Sequence, residues 1–185
     1  MRIFRTLAAS AALAAMTAGE AAAAVQPADC LSEREVASLV TYALPVVMDS
    51  TIKACRPQLS AEGYFAAQGP ALVQRYGARK GSAWPEAKAA LLKLGGKDAR
   101  MKDMVASLSD EALQPFADGI VSQLVVKRIK PGQCKSIERA TRLLSPLPPE
   151  NTAELLTFVI ILAEKPTVRG AVGAPKKSDF PICPA

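Results

Sequence analysis

The stretch Cys30–Cys55, CLSEREVASLVTYALPVVMDSTIKAC, decides the fold. Ser32 is a helix N-cap and Glu35 stands three residues on, the spacing of a capping box. Leu31 precedes the cap and can staple onto Val36. Val36, Leu39, Val40, Ala43, Leu44, Val47 and Met48 then recur at helical spacing, so one long helix is expected over Leu31–Ala54. Pro45 removes one backbone donor, but no turn residues surround it, so it should bend the helix without ending it.

The two cysteines that flank this helix set a geometric condition. At 1.5 Å per residue, Cys30 and Cys55 stand roughly 37 Å apart along an unbroken helix. A disulfide needs Cα atoms within about 7 Å. A Cys30–Cys55 bridge therefore requires a hairpin at Pro45. Otherwise Cys55 pairs with Cys134 or Cys183, the two remaining cysteines. Chain termini often lie close together, which favours Cys30–Cys183 with Cys55–Cys134.

Towards the N-terminus the sequence changes character. Arg2 and Arg5 form a basic segment, Leu7–Ala18 is apolar and Ala-rich, and Ala22-Ala23-Ala24 suits signal peptidase. Residues 1–24 read as a signal peptide, with a mature start near Val25. The apolar run is too short for a transmembrane helix, which needs about 20 strongly apolar residues, so no transmembrane segment is expected after cleavage. Residues 25–185 make one domain of ordinary size. Export to the periplasm or the exterior agrees with an even number of cysteines, which implies two disulfides, and none of the four lies in a C-x-x-C pair. The net charge of +6 is dispersed along the chain. It suits an anionic surface or an acidic envelope partner, but nothing in it points to nucleic acid.

Downstream, a helix is expected from Ala61 to Tyr76 with Ser60 as cap, then a loop from Gly77 to Ala83. Pro85 should open a short helix ending at Leu94. Ser109-Asp110-Glu111 opens another that ends at Lys127–Lys130, its charges matching the helix dipole at both ends. Lys135–Ser145 follows, with Ile137, Ala140, Leu143 and Leu144 inward. After the stiff Pro146–Pro149 connector, Asn151 reads as the cap of the last helix. Leu155–Leu162 is apolar on nearly every side, so this helix is expected at the centre of the core. Thr167–Ala185 is a Pro- and Gly-containing tail. No period-2 strand pattern appears. The fold class is all-α: a single domain of six to seven helices closed by two disulfides.

Together, Cys30-Leu31-Ser32 with Glu35, Ala43-Leu44-Pro45, Cys55, Ser82-Ala83-Trp84-Pro85, Cys134, Pro146-Leu147-Pro148-Pro149-Glu150-Asn151-Thr152-Ala153 and Cys183-Pro184 resemble a family of small exported alphaproteobacterial proteins with four cysteines. The resemblance covers most of the chain after Ala24. It implies export and the cysteine layout, and it carries no activity and no site residues.

The chain contains no histidine. That removes Ser-His-Asp triads, Cys-His pairs and imidazole ligands. Paired cysteines are not nucleophiles, and no phosphate-binding glycine loop or Ca²⁺ loop is present. No catalytic, cofactor-binding or metal-binding residue is assigned, and no cofactor is expected. Carboxylate chemistry survives this elimination. Glu62 beside Tyr64 and Phe65, or Glu86 beside Trp84, could serve a hydrolase of wall glycans. Acidic residues in first helical turns are, however, favoured for electrostatic reasons alone. Trp84 reads as a core anchor more readily than as a partner hot spot. Lys127, Arg128 and Lys130 would form an anion patch if folding brought them to Arg75, Arg79 and Lys80. Pro45, Gly69-Pro70 and Pro115 interrupt helices and could open a groove for an apolar ligand. The leading expectation is a non-catalytic envelope interaction or accessory protein; a carrier of a hydrophobic ligand between helices and the glycan hydrolase are the alternatives.

Overall fold

The computed structural model of the protein describes residues 30–95, 103, 105–164 and 181–183. The expected signal peptide, and the expected tail apart from residues 181–183, lie outside the described residues. The described part is all-α. Its helices are α1 (Glu33–Cys55), α2 (Tyr64–Gly77), α3 (Lys80–Leu94), α4 (Asp110–Arg128), α5 (Cys134–Leu144) and α6 (Pro149–Glu164). Residues 105–107 add a short helical piece before α4.

α1 is the axis on which α2, α3, α4 and α6 all pack. Its start is the expected capping box. Glu35 N–H donates to the Ser32 hydroxyl, and Ser32 N–H donates to the Glu35 carboxylate at 2.8 Å. α1 runs through Pro45 as one helix. This excludes a Cys30–Cys55 bridge, and the disulfides are Cys30–Cys183 and Cys55–Cys134. The first is reinforced by a short parallel pairing: Leu31 N–H donates to the Pro181 carbonyl at 2.7 Å, and Cys183 N–H to the Leu31 carbonyl at 2.9 Å. The second sits in a cluster with Phe65, Ile52, Leu59, Ile129 and Ile137.

Three helix starts differ from expectation. α2 begins at Tyr64, not Ala61, with Gly63 as N-cap. The cap comes from another helix: the Glu138 carboxylate of α5 accepts from Phe65 N–H at 2.9 Å. A Cβ at Gly63 would lie 2.8 Å from that carboxylate, so a larger residue there would push Glu138 away from its capping position. The expected Gly77–Ala83 loop is reduced to a turn, because α3 begins at Lys80. Gly81, Ser82 and Pro85 are poor helix formers, but burial of Trp84 and anchoring of Lys80 to Asp118 override their propensity. α6 begins at Pro149, where proline loses nothing by lacking an N–H, and Asn151 is not its cap. α5 also buries less than expected: Ala140 and Leu143 are exposed.

The largest correction concerns α6, which is not the centre of the core. It is covered on one side only, mainly by α1 with Leu72 and Tyr76 of α2 beside it. Thr152, Ala153, Thr157 and Ile161 are buried, while Leu155, Phe158, Val159 and Leu162 face outward. A helix that is apolar all round calls for surroundings on all sides, and here its neighbours supply only one. Single substitutions should separate the two faces. Ile161→Ala is expected to cost about 2–4 kcal/mol in urea unfolding. Phe158→Ala, at a position 57% exposed, should stay within about 0.5 kcal/mol of the parent protein.

Candidate functional site

The outward face of α6 is the most unusual surface of the described chain. Leu155, Phe158, Val159 and Leu162 recur at i, i+3, i+4 and i+7, which places them in one row along the helix. Every charged residue of α6 is acidic: Glu150, Glu154 and Glu164. The inward face sets two threonines among the apolar Ala153, Leu156, Ile160 and Ile161. Thr152 is buried and shares a hydrogen bond of 3.1 Å with the Tyr76 hydroxyl. The Thr157 hydroxyl donates to the Ala153 carbonyl at 2.8 Å. The two threonines are satisfied inside, beside Leu156, Ile160 and Ile161, and four more large apolar side chains are left outside. A second row lies on α4, where Phe116, Ile120 and Leu124 are each about half exposed and recur every four residues.

Two clefts open nearby. One, of about 210 Å³, lies between α1, α2 and α6 and is lined by Thr41, Leu44, Tyr76, Arg79 and Glu150 among others. The other, of about 300 Å³, lies beside Tyr64, Leu72, Arg75 and Ser145. Both sit at or below the lower bound for small-molecule sites, about 300–1,000 Å³. Neither Pro45, Gly69-Pro70 nor Pro115 lines either of these clefts. Pro45 is itself buried, and a Cβ at Gly69 would press on Ile52 at 3.1 Å, so α1 and α2 pack closely there.

The carboxylate candidates are not brought together as a catalytic pair. Glu86 accepts from the Ser38 hydroxyl at 2.7 Å and pairs with Arg34; these contacts hold its carboxyl below the usual range. Glu62 is exposed in the turn before α2, where its N–H donates to Ser60. Burial pushes the Glu35 carboxyl up, but hydrogen bonds from Lys93 and Ser32 and the charge of Lys93 outweigh it and leave the group lowered. Asp110 and Glu111 are also lowered, the first mainly by Lys88, the second by the α4 backbone and Ser109. A glycosidase needs a general acid displaced in the opposite direction. Glu150 and Glu154 at the first cleft stand on one helix, and Arg79 neutralises Glu150 at 3.2 Å.

The cations are also divided. Lys80 pairs with Asp118 and lies 4.9 Å over the Tyr42 ring. Arg79 pairs with Glu150, and Arg75 donates to the Ser145 carbonyl. Lys127 lies nine residues beyond Asp118 on α4, about 13 Å along the helix. The expected anion patch therefore does not form as one unit. All four cysteines are in disulfides, and no group of metal-ligating side chains gathers among the described residues.

The best-connected polar network is internal. Tyr42 donates to the Asp118 carboxylate at 2.8 Å and reaches the Gln114 carbonyl at 3.2 Å, while Lys80 holds the other Asp118 oxygen. Burial, then the hydrogen bond and charge of Asp118, push the Tyr42 hydroxyl far above the usual tyrosine range. The folded value exceeds the unfolded one. The stability contributed by this tyrosine is therefore intact below about pH 10 and is lost as pH rises past it. In a spectrophotometric alkaline titration, at least one phenol should stay protonated until the protein unfolds. Full titration of every tyrosine with the fold intact would refute this assignment.

No helix among the described residues is long and apolar enough to cross a membrane. The two disulfides are compatible with an oxidising compartment outside the cytoplasm. Comparison with models of known protein families, with curated proteins and with solved structures finds no match to this chain.

Proposed function

We propose that this is an exported, non-catalytic protein of the cell envelope that acts by macromolecular contact, with the outward row of α6 as its contact surface. The observation that carries this reading is the exposed apolar row of α6, with Leu155, Phe158, Val159 and Leu162 all turned outward. A contiguous exposed apolar row is unfavourable in water unless something covers it in use. The small clefts and the lowered carboxylates give less support to a ligand carrier or a glycan hydrolase. The paired cysteines and the N-terminal signal pattern support export.

Native mass spectrometry of the protein purified from its own periplasm tests the reading. A polypeptide partner is expected, and it should be lost from a Phe158→Asp, Leu162→Asp variant. Retention of a small hydrophobic molecule, with no polypeptide, would establish the carrier instead. A bare monomer in both forms would also overturn the proposal.

A further inference from the structure

We propose that the partner is a second copy of this chain, with α4 of one copy docked antiparallel along α6 of the next. This rests on the contact reading of α6 and adds the identity of the partner.

The two rows match in length. Phe116 to Leu124 spans eight residues, about 12 Å of helix, and Leu155 to Leu162 spans seven, about 11 Å. In an antiparallel arrangement Leu124 meets Leu155, Ile120 meets Phe158 and Val159, and Phe116 meets Leu162. This is ordinary packing of one helix ridge on another. The charges match in the same register. Beyond Leu124 come Lys127 and Arg128, exposed in the last turn of α4. Before Leu155 comes Glu154, exposed in the early part of α6. None of these three belongs to an ion pair among the described residues. Docking brings the basic end of α4 beside the acidic start of α6, and the helix dipoles also run in opposed directions.

Pairing of α6 with α6 of another copy is disfavoured by the same charges. α6 has no lysine or arginine. Antiparallel pairing would bring no cation of α6 to Glu154, and parallel pairing would align Glu150 and Glu154 with their counterparts. Like charges at such positions are destabilising. α4 supplies the cations that α6 lacks.

Each copy carries one row of each kind, so the contact is heterologous. One helix pair of this length buries less than the roughly 800 Å² per partner of a standard stable interface. The association should therefore be concentration-dependent and weakened by salt.

Sedimentation of the disulfide-intact protein at low salt, over a wide concentration range, tests the proposal. The mass of the unaltered protein should rise with concentration. Ile120→Asp and Phe158→Asp should each weaken self-association at least about tenfold. An equimolar mixture of the two variants should form a dimer and go no further, because one supplies an intact α4 row and the other an intact α6 row. Glu154→Lys should weaken association and Lys127→Glu in the same chain should restore it. All of these positions are exposed, and far-UV circular dichroism checks that the variants stay folded. Three results would overturn the proposal: a protein monomeric at every concentration, a single-row variant that self-associates as tightly as the unaltered protein, or a mixture that does not dimerise. If the protein is monomeric but its periplasmic form carries a different polypeptide on α6, self-docking fails and the contact reading stands.

Discussion

Replacing Cys55 and Cys134 together by alanine should lower the stability of the protein by about 4–5 kcal/mol, close to the whole stability of a small domain. The bridge joins residues 79 apart in sequence. On the chain-entropy account, releasing a loop of that size returns about 4.5 kcal/mol of freedom to the unfolded chain. The folded state loses as well, because both half-cystines are buried in contact with Phe65. This bridge holds the end of α1 to the start of α5, which otherwise has few neighbours.

Cys30–Cys183 closes a longer loop, 153 residues, and loop entropy alone would rank it slightly higher, at about 5 kcal/mol. The opposite order is expected. Without this bridge, residues 181–183 are held to the core by Ile182 and two backbone hydrogen bonds beside Leu31. The folded variant can release that short segment and recover part of the entropy. Urea unfolding of the two double-alanine proteins decides the matter. A smaller loss for the Cys55–Cys134 pair would show that α5 is held mainly by other contacts.

The features legible in the sequence are those that depend on neighbours along the chain. The capping box at Ser32 and Glu35 and the charged ends of α4 need no knowledge of tertiary structure. One length excluded Cys30–Cys55, because a continuous α1 keeps them too far apart, and the usual closeness of chain termini favoured Cys30–Cys183 among the two pairings left. Features that depend on other elements were misplaced. The cap of α2 comes from Glu138, some seventy residues away in sequence, so Ser60 looked like the cap. α3 extends back to Lys80 because Asp118 and the Trp84 pocket reward it, against Gly81 and Pro85. The contact row on α6 was hidden for a related reason. Apolar composition states that a helix wants cover, but only the number of packed neighbours states which side receives it. Thr152 and Thr157 are buried, because Tyr76 and the Ala153 carbonyl take up their hydroxyls.

Trp84 offers the sharpest test of core against surface. Trp84→Ala should cost about 3–5 kcal/mol. The side chain is 3% exposed and packs among Tyr42, Ala87, Leu113 and Ala117, with its ring 4.9 Å from that of Tyr42. This cluster joins α1, α3 and α4, so truncation leaves a cavity that none of the three can close without abandoning the others. Trp84→Phe should cost distinctly less. The indole N–H is directed towards Asp110 but falls short of hydrogen-bond geometry, so its removal forfeits little, and phenylalanine refills most of the volume. Tyr42→Phe tests the polar half of the cluster and should cost about 1–3 kcal/mol, because the hydroxyl's bond to the charged Asp118 is lost while Lys80 still holds that carboxylate. The order Trp84→Ala, then the two phenylalanine variants, is that of a volume-dominated core with one polar tie. A Trp84→Ala protein of unchanged stability would show instead that the only tryptophan of the chain is spared from folding. It would then be available to a partner, and the contact surface would have to be moved from α6 to the seam of α1, α3 and α4.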